Sequence, residues 1–142
     1  MRIFLDANVL VSVLNKEFPL FAHSSRVLSL TEDSRFQVYT SPLCLAIAYY
    51  FAEKKSGEVL AKKKLSLLSE HLQITDMNEK TTRLAAKSTI EDFEDALQYY
   101  SALESKCACI ITENTKDFYA CDLDVYDCEQ FLKQHAVRNQ SR

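Results

Sequence analysis

Glycine is almost absent from this chain of 142 residues: Gly57 stands alone, with two prolines beside it in the count. One glycine cannot write a GxGxxG fingerprint or a P-loop, so glycine-rich phosphate cradles are excluded. Long apolar runs are missing too. No stretch reaches the length of a membrane span, and no basic segment leads into an apolar core at the N-terminus, so neither membrane anchorage nor a signal peptide is expected. A strong charge of one sign is lacking, the net charge being −3. That argues against sequence-blind nucleic-acid binding by a uniformly basic surface. It leaves a nuclease open, because a metal site is itself negative and local Lys or Arg can still hold phosphates. The five cysteines (Cys44, Cys107, Cys109, Cys121, Cys128) are an odd number. In a chain large enough for a core they read as reduced, small apolar side chains of a cytoplasmic protein. Cys107 and Cys109 lack zinc spacing, and their alternation suits a strand.

What is present is ordinary for a folded globule: 47% hydrophobic and 26% charged residues. The length suits one domain over 1–142, with a tail expected to fray from about 136. Apolar or alternating runs predict strands at 2–5, 36–40 and 107–112, with short ones at 72–75 and around Val125. Helices are predicted at 8–14, 18–30, 43–54, 58–71, 78–87, 91–105 and 129–135. Ser41-Pro42 reads as a cap followed by proline at the first helical position. The helix at 43–54 is apolar nearly all round and is expected to be largely buried. The next, at 58–71, is amphipathic. In 91–105, Phe93, Leu97, Tyr100 and Leu103 form the apolar stripe and Asp95 lies off it. Strands alternating with helices predict an α/β sandwich of three layers: a central, mainly parallel sheet of four or five strands flanked by helices.

Three segments carry acids to comparable places. Leu5-Asp6-Ala7-Asn8 ends a buried strand in a carboxylate, at the edge of an open α/β sheet where ligands bind. Asp92 and Asp95 open a helix. Thr112-Glu113-Asn114-Thr115-Lys116-Asp117 follows another strand. A parallel sheet can gather all three at its carboxyl edge. Gathered carboxylates repel, so their pKa values rise or they hold a cation. Oxygen ligands without His or Cys suit Mg²⁺ or Mn²⁺. Asp6 is hardest to treat as incidental, since an acid between two apolar runs costs free energy unless paired or metal-bound.

These residues resemble a known family. Leu5-Asp6-Ala7-Asn8-Val9-Leu10 resembles the opening of PIN domains, Asp92-Phe93-Glu94-Asp95-Ala96-Leu97 their third-acid segment, and Ile110-Ile111-Thr112-Glu113-Asn114-Thr115-Lys116-Asp117-Phe118 their fourth. The order and spacing agree over about residues 1–133. The resemblance implies a Mg²⁺- or Mn²⁺-dependent endoribonuclease like the toxins of VapC-type toxin–antitoxin pairs, with RNA as substrate, a small antitoxin as partner and a homodimer as a common assembly. It implies Asp6 and Asp95 as principal metal ligands and Asp117 as completing the acidic cluster. Asn114 would be a neutral oxygen donor or water orienter. Asp92 would be a supporting acid, Thr112 a loop cap or partner of a metal-bound water, and Asn8 a supporting residue. Substrate-binding residues are not assigned.

One departure stands out. The family carries a Glu on the helix after the second strand, and here that stretch reads Ser41-Pro42-Leu43-Cys44-Leu45-Ala46-Ile47-Ala48, with Ala46 or Ile47 at the expected place. Glu53 lies about two turns on, roughly 10 Å along the axis. The site is therefore expected either to work with Asp6, Asp95 and Asp117 or to survive as a catalytically degenerate module binding RNA or a protein. A DNA-directed nuclease with related acidic architecture is a third reading. Lys54, Lys55, Lys62, Lys63 and Lys64 read as a solvated face that could also meet phosphates. Tyr49, Tyr50 and Phe51 read as core plus interface. His23, His71 and His135 sit far apart, without ligand or triad spacing.

Overall fold

The structure, a computed structural model, describes residues 1–118 and 121–137; the last part of the expected frayed tail, 138–142, lies outside the described residues. Five strands, β1 (Arg2–Leu5), β2 (Gln37–Thr40), β3 (Gln73–Ile74), β4 (Cys109–Ile111) and β5 (Asp124–Tyr126), form one sheet in the order β3-β2-β1-β4-β5. Every neighbouring pair is parallel. The chain runs outward from β1 through β2 to β3, then returns to the other side of β1 for β4 and β5. The order reverses between β1 and β4, and ligands bind in the crevice at such a reversal.

Ile3, Phe4 and Leu5 of β1 and Cys109, Ile110 and Ile111 of β4 are fully buried. Continuous apolar runs are what strands covered on both faces require. Full burial of each large side chain contributes about 1.5–3 kcal/mol. Around the sheet lie α1 (Ala7–Leu14), α2 (Phe21–Leu28), α3 (Pro42–Ser56), α4 (Glu58–His71), α5 (Glu79–Lys87), α6 (Phe93–Glu104) and α7 (Cys128–Phe131). Among the described residues no helix is long and apolar enough to cross a membrane.

The caps follow the sequence. Ser41 Oγ accepts from Cys44 N at 3.0 Å, with Pro42 at the first helical position. Asn78 caps α5 in a reciprocal pair with Thr81. Gly57 has φ +82° between α3 and α4, so the sole glycine stands where an L side chain would be strained. Lys55 and Lys64 are not simply solvated. Their Nζ atoms donate to the Asn15 and Leu14 carbonyls at the end of α1, a favourable place for cations.

Two helices bury a different side from the one their apolar residues suggest. In α3 only Cys44, Ala48 and Ala52 are buried, four residues apart, while Tyr50 and Phe51 are exposed. The expectation of a largely buried helix is thus corrected: α3 packs a small-residue stripe against its neighbours and turns its aromatics outward. In α6 the buried side is Ala96, Tyr99 and Ala102 with Gln98 and Ser101, and the expected stripe residues Phe93 and Leu103 are exposed. In α4, Ala61 and Leu68 are buried but Val59, Leu60 and Leu67 are exposed. The remaining adjustments are at ends. The chain passes Phe18 and Pro19 before α2 begins, α2 tightens into a 3-10 turn at Ser29–Glu32, and α7 widens into a π turn at Leu132–Ala136.

Candidate active site at the carboxyl edge of the sheet

Asp6 leaves β1 and caps α1. Its Oδ1 accepts from Ala7 N at 2.8 Å, and its own N–H donates to the Ile111 carbonyl at 3.0 Å. Asp6 is 8% exposed. Its Oδ2 accepts from Thr112 Oγ1 at 2.8 Å, across the reversal between β1 and β4. Thr112 Oγ1 in turn accepts from Asn8 Nδ2 at 3.0 Å and from Asn114 N at 3.1 Å. Asn8 Oδ1 accepts from Glu113 N at 3.1 Å. Asp6, Asn8 and Thr112 therefore form one lattice that fixes the loop after β4. Asp117 lies just beyond, its N–H donating to the Asn114 carbonyl in a 3-10 turn.

Asp92 caps α6 by accepting from Asp95 N at 3.0 Å. Asp95 is half-buried and borders two cavities. One, of about 180 Å³, is lined by Asp92, Asp95, Lys116 and Asp117 along with Thr89, Ile90 and Glu91. The other, of about 400 Å³, places Asp6, Asn8, Asp95 and Asn114 along one side. The sequence-derived acids thus fall around two adjoining hollows with Asp95 common to both.

Charge follows geometry. Burial pushes Asp6 above the ordinary aspartate value, against the hydrogen bonds from Thr112 and Ala7, and the Asp117 charge adds to the rise. Asp95 is pushed up to about 7, first by burial and then by Asp92, Asp117, Asp6 and Glu94. Among the described residues, the ion pairs leave Asp6, Asp95 and Asp117 without a Lys or Arg partner. Such a field favours either a proton or a cation.

No three His, Cys, Asp or Glu side chains among the described residues are grouped closely enough to ring one ion. The acids share a field rather than a closed cage. This suits a hydrated Mg²⁺-like ion, which keeps several waters and takes one or two carboxylates. Asp6, Asp95, Asp117 and the Asn114 amide supply the hard oxygens such an ion prefers.

From α3, two side chains reach this region: Cys44, which sequence reasoning did not place there, and Ile47, one of the two positions expected for the missing Glu. Cys44 Sγ approaches Asp6 Oδ1 at 3.9 Å. Ile47 lines the larger cavity with Asp6 and Asp95, whereas Ala46 is exposed elsewhere. Ile47 is thus the residue that looks into the site where the expected Glu would be. A signal existed: Cys44 and Ile47 are three residues apart on a helix whose start Ser41 fixes, so they share a face. Glu113 was also passed over. Its Oε2 accepts from Cys128 N at 3.0 Å, tying the site loop to α7.

Comparison with known proteins bears on the family and the fold. The PIN domain family profile matches residues 2–116. Ribonuclease VapC1 of Aquifex aeolicus (strain VF5) is 27% identical over 141 residues, covering 94% of each chain. The crystal structure of VapBC2 from Rickettsia felis bound to a promoter DNA fragment superposes with a TM-score of 0.68 at 21% identity, over 89% of this chain and 98% of that one. Mycobacterium tuberculosis VapC20, a sarcin-ricin loop cleaving toxin, gives a TM-score of 0.61 at 15% identity, over 76% and 86%. This kinship supports a PIN-type nuclease. The chain belongs to the PIN domain family and carries its VapC-type fold.

Proposed function

We propose that the chain is a metal-dependent endoribonuclease of the toxin type, hydrolysing RNA phosphodiester bonds at the Asp6–Asp95–Asp117 cluster. The observation that carries this reading is Asp95. Its carboxyl is pushed up to about 7 by burial and surrounding acids, with no basic ion-pair partner among the described residues. Asp6, Asp95 and Asp117 would share one Mg²⁺ or Mn²⁺, one or two of them directly and the rest through its waters, with Asn114 as neutral oxygen donor. When bound, such an ion activates water and stabilises charge on a phosphoryl oxygen.

The chain's own residues position these groups. Thr112 holds the Asp6 carboxylate in one orientation, and Asn8 fixes the loop bearing Asn114. Asp92 caps the helix that presents Asp95. Lys116, on the wall beside Asp95 and Asp117, offers a cation to a substrate phosphate. Relatives named as a ribonuclease and as a sarcin-ricin loop cleaving toxin support RNA as the substrate class.

The likeness to a VapBC complex supports an antitoxin as partner. An apolar groove of about 520 Å³ between α1, α2 and α4, bordered by Leu14, Phe21, Leu28, Leu67 and Leu68, offers it a surface. Free cysteines, four of the five buried, suit a cytoplasmic setting.

The test is cleavage of RNA and matched DNA oligonucleotides by wild type, Asp6→Asn and Asp95→Asn, with Mn²⁺ or with EDTA. Wild type is expected to cut RNA only with the metal, and both variants to lose cleavage. Equal rates in all three would end this mechanism. Binding without cleavage at every metal concentration would leave a spent site.

A further inference from the structure

Resting on the ribonuclease reading, we infer that the larger cavity beside Asp6 is a nucleobase pocket, seating the base next to the phosphate that the acids address. An ion site needs only oxygen donors. This cavity has a second half that is apolar: Val11, Leu20, Ile47 and Phe51. Phe51 is 44% exposed, and Tyr50 supports it edge-on at 5.3 Å and 80°. Its backbone is held by Asn15, whose Nδ2 donates to the Phe51 carbonyl at 3.3 Å. An exposed aromatic ring on a fixed helix is a platform for a planar ligand. Aromatic stacking is the sequence-tolerant way to hold an unpaired base.

The apolar wall and the acids border one hollow of about 400 Å³, so a ligand filling it presents an apolar planar part to Phe51 and an anionic part near Asp6 and Asp95. A nucleotide has that polarity, given a cation between the phosphate and the carboxylates.

The rim adds selectivity. Glu17 lines the same cavity, and its carboxylate has no hydrogen bond or ion pair among the described residues. A carboxylate accepts from an exocyclic amino group, as Glu does from cytosine N4. Adenine, guanine and cytosine carry such a group. Uracil does not, and its carbonyl oxygens flank its one N–H. The pocket therefore prefers an amino-bearing base over uracil.

The experiment has two readouts. With Ca²⁺ as the bridging cation, RNA oligonucleotides carrying 2-aminopurine report stacking by fluorescence quenching, read before cleavage accumulates. With Mn²⁺, a panel of oligonucleotides varied at one position reports cleavage preference. Phe51→Leu keeps apolar bulk but removes the aromatic face, and is expected to weaken quenched binding roughly 5- to 150-fold. Phe51→Tyr is expected to restore it. Glu17→Ala is expected to level the preference against uracil.

If wild type cleaves RNA but shows no quenching, and Phe51→Leu keeps the same rates and preference, the pocket is overturned while the nuclease stands. If wild type quenches without cleaving, and Phe51→Leu abolishes the quenching, the pocket stands and the nuclease falls. A change confined to the molar mass seen by light scattering would make Phe51 a protein contact and overturn the inference.

Discussion

Thr112 Oγ1 donates to Asp6 Oδ2 at 2.8 Å, joining the residue after β4 to the residue after β1 at the point where the strand order reverses. The hydroxyl has one proton and gives it to the carboxylate. Its lone pairs take N–H groups from Asn8 and Asn114. The direction of these bonds matters: Thr112 favours the charged form of Asp6, against the burial that disfavours it.

Thr112→Val keeps the shape and removes the hydroxyl. Asp6 is expected to rise further above the ordinary aspartate range. The Asn8 amide and Asn114 N–H lose their acceptor, at a cost of about 1–3 kcal/mol in stability. Loss of a group that orients a ligand typically weakens metal binding roughly 10- to 100-fold. Calorimetric titration of Mn²⁺ and urea denaturation measure the two effects. Unchanged Mn²⁺ affinity with lowered stability would make the hydroxyl structural only.

The ion-free protein should grow less stable as pH rises from about 4 to about 7. Asp95 has an ordinary value of 3.8 and a folded value of about 7. Between those values the folded chain keeps a proton that the unfolded chain has released, so raising the pH favours unfolding. Above about 7 both states have lost it and the contribution is flat. Asp6 acts in the same sense. Asp95→Asn is expected to flatten this slope and to raise Tm at pH 8. Thermal melts in EDTA from pH 4 to 8 decide it: a wild-type profile parallel to that of Asp95→Asn would mean that burial and the neighbouring acids do not raise Asp95 in solution. Added Mn²⁺ should stabilise wild type more at pH 8 than at pH 5, because protons compete with it for Asp95.

The sheet and its acids were legible because their physics is local. Ile3-Phe4-Leu5 reads as a buried strand and Asp6 as its polar stop. Ser41-Pro42 and Asn78 announce helix starts through their own side chains. The inward faces of α3 and α6 were not legible. Hydrophobicity suggested a helix at 43–54 buried nearly all round, with Tyr49, Tyr50 and Phe51 shared between core and interface, and Phe93 and Leu103 inside. Close packing instead chose Ala48, Ala52, Ala96 and Ala102, because small residues let helices approach their neighbours and large ones then have no room. Periodicity shows that a helix has faces; it does not rank two apolar faces. Cys44 was hidden for the same reason, being a small apolar residue that looks like core and stands beside Asp6.

The cysteines should be inert except one. Burial pushes the Cys44, Cys107 and Cys109 thiols up to about 12, and Cys128 is raised as well. Cys121 is only half-buried, with its thiol up to about 11. The thiolate is the nucleophile, so reaction with an aromatic disulfide reagent at pH 8 should label Cys121 first, and slowly. The other four should react only with unfolding. Rapid native labelling of two or more thiols would contradict the packing of β4 and α3.

Ile47→Glu tests whether the α3 wall and the acids face one ion. Ile47 borders the cavity that Asp6 and Asp95 share. A carboxylate placed there adds a hard ligand and one more negative charge. Without metal the added repulsion lowers stability at pH 8, and Asp95 moves higher still. With metal the sign reverses, since ligand charge count is what tunes affinity at oxygen sites, and Mn²⁺ binding is expected to tighten roughly tenfold or more. The apolar seat for a base is lost in the same step, so 2-aminopurine quenching should fall even as Mn²⁺ affinity rises. Calorimetry on wild type and Ile47→Glu, read beside melts with and without Mn²⁺, separates these contributions. If the variant is destabilised at pH 8 but its Mn²⁺ affinity does not move, the residue 47 side chain faces the acids' field without reaching the ion they hold.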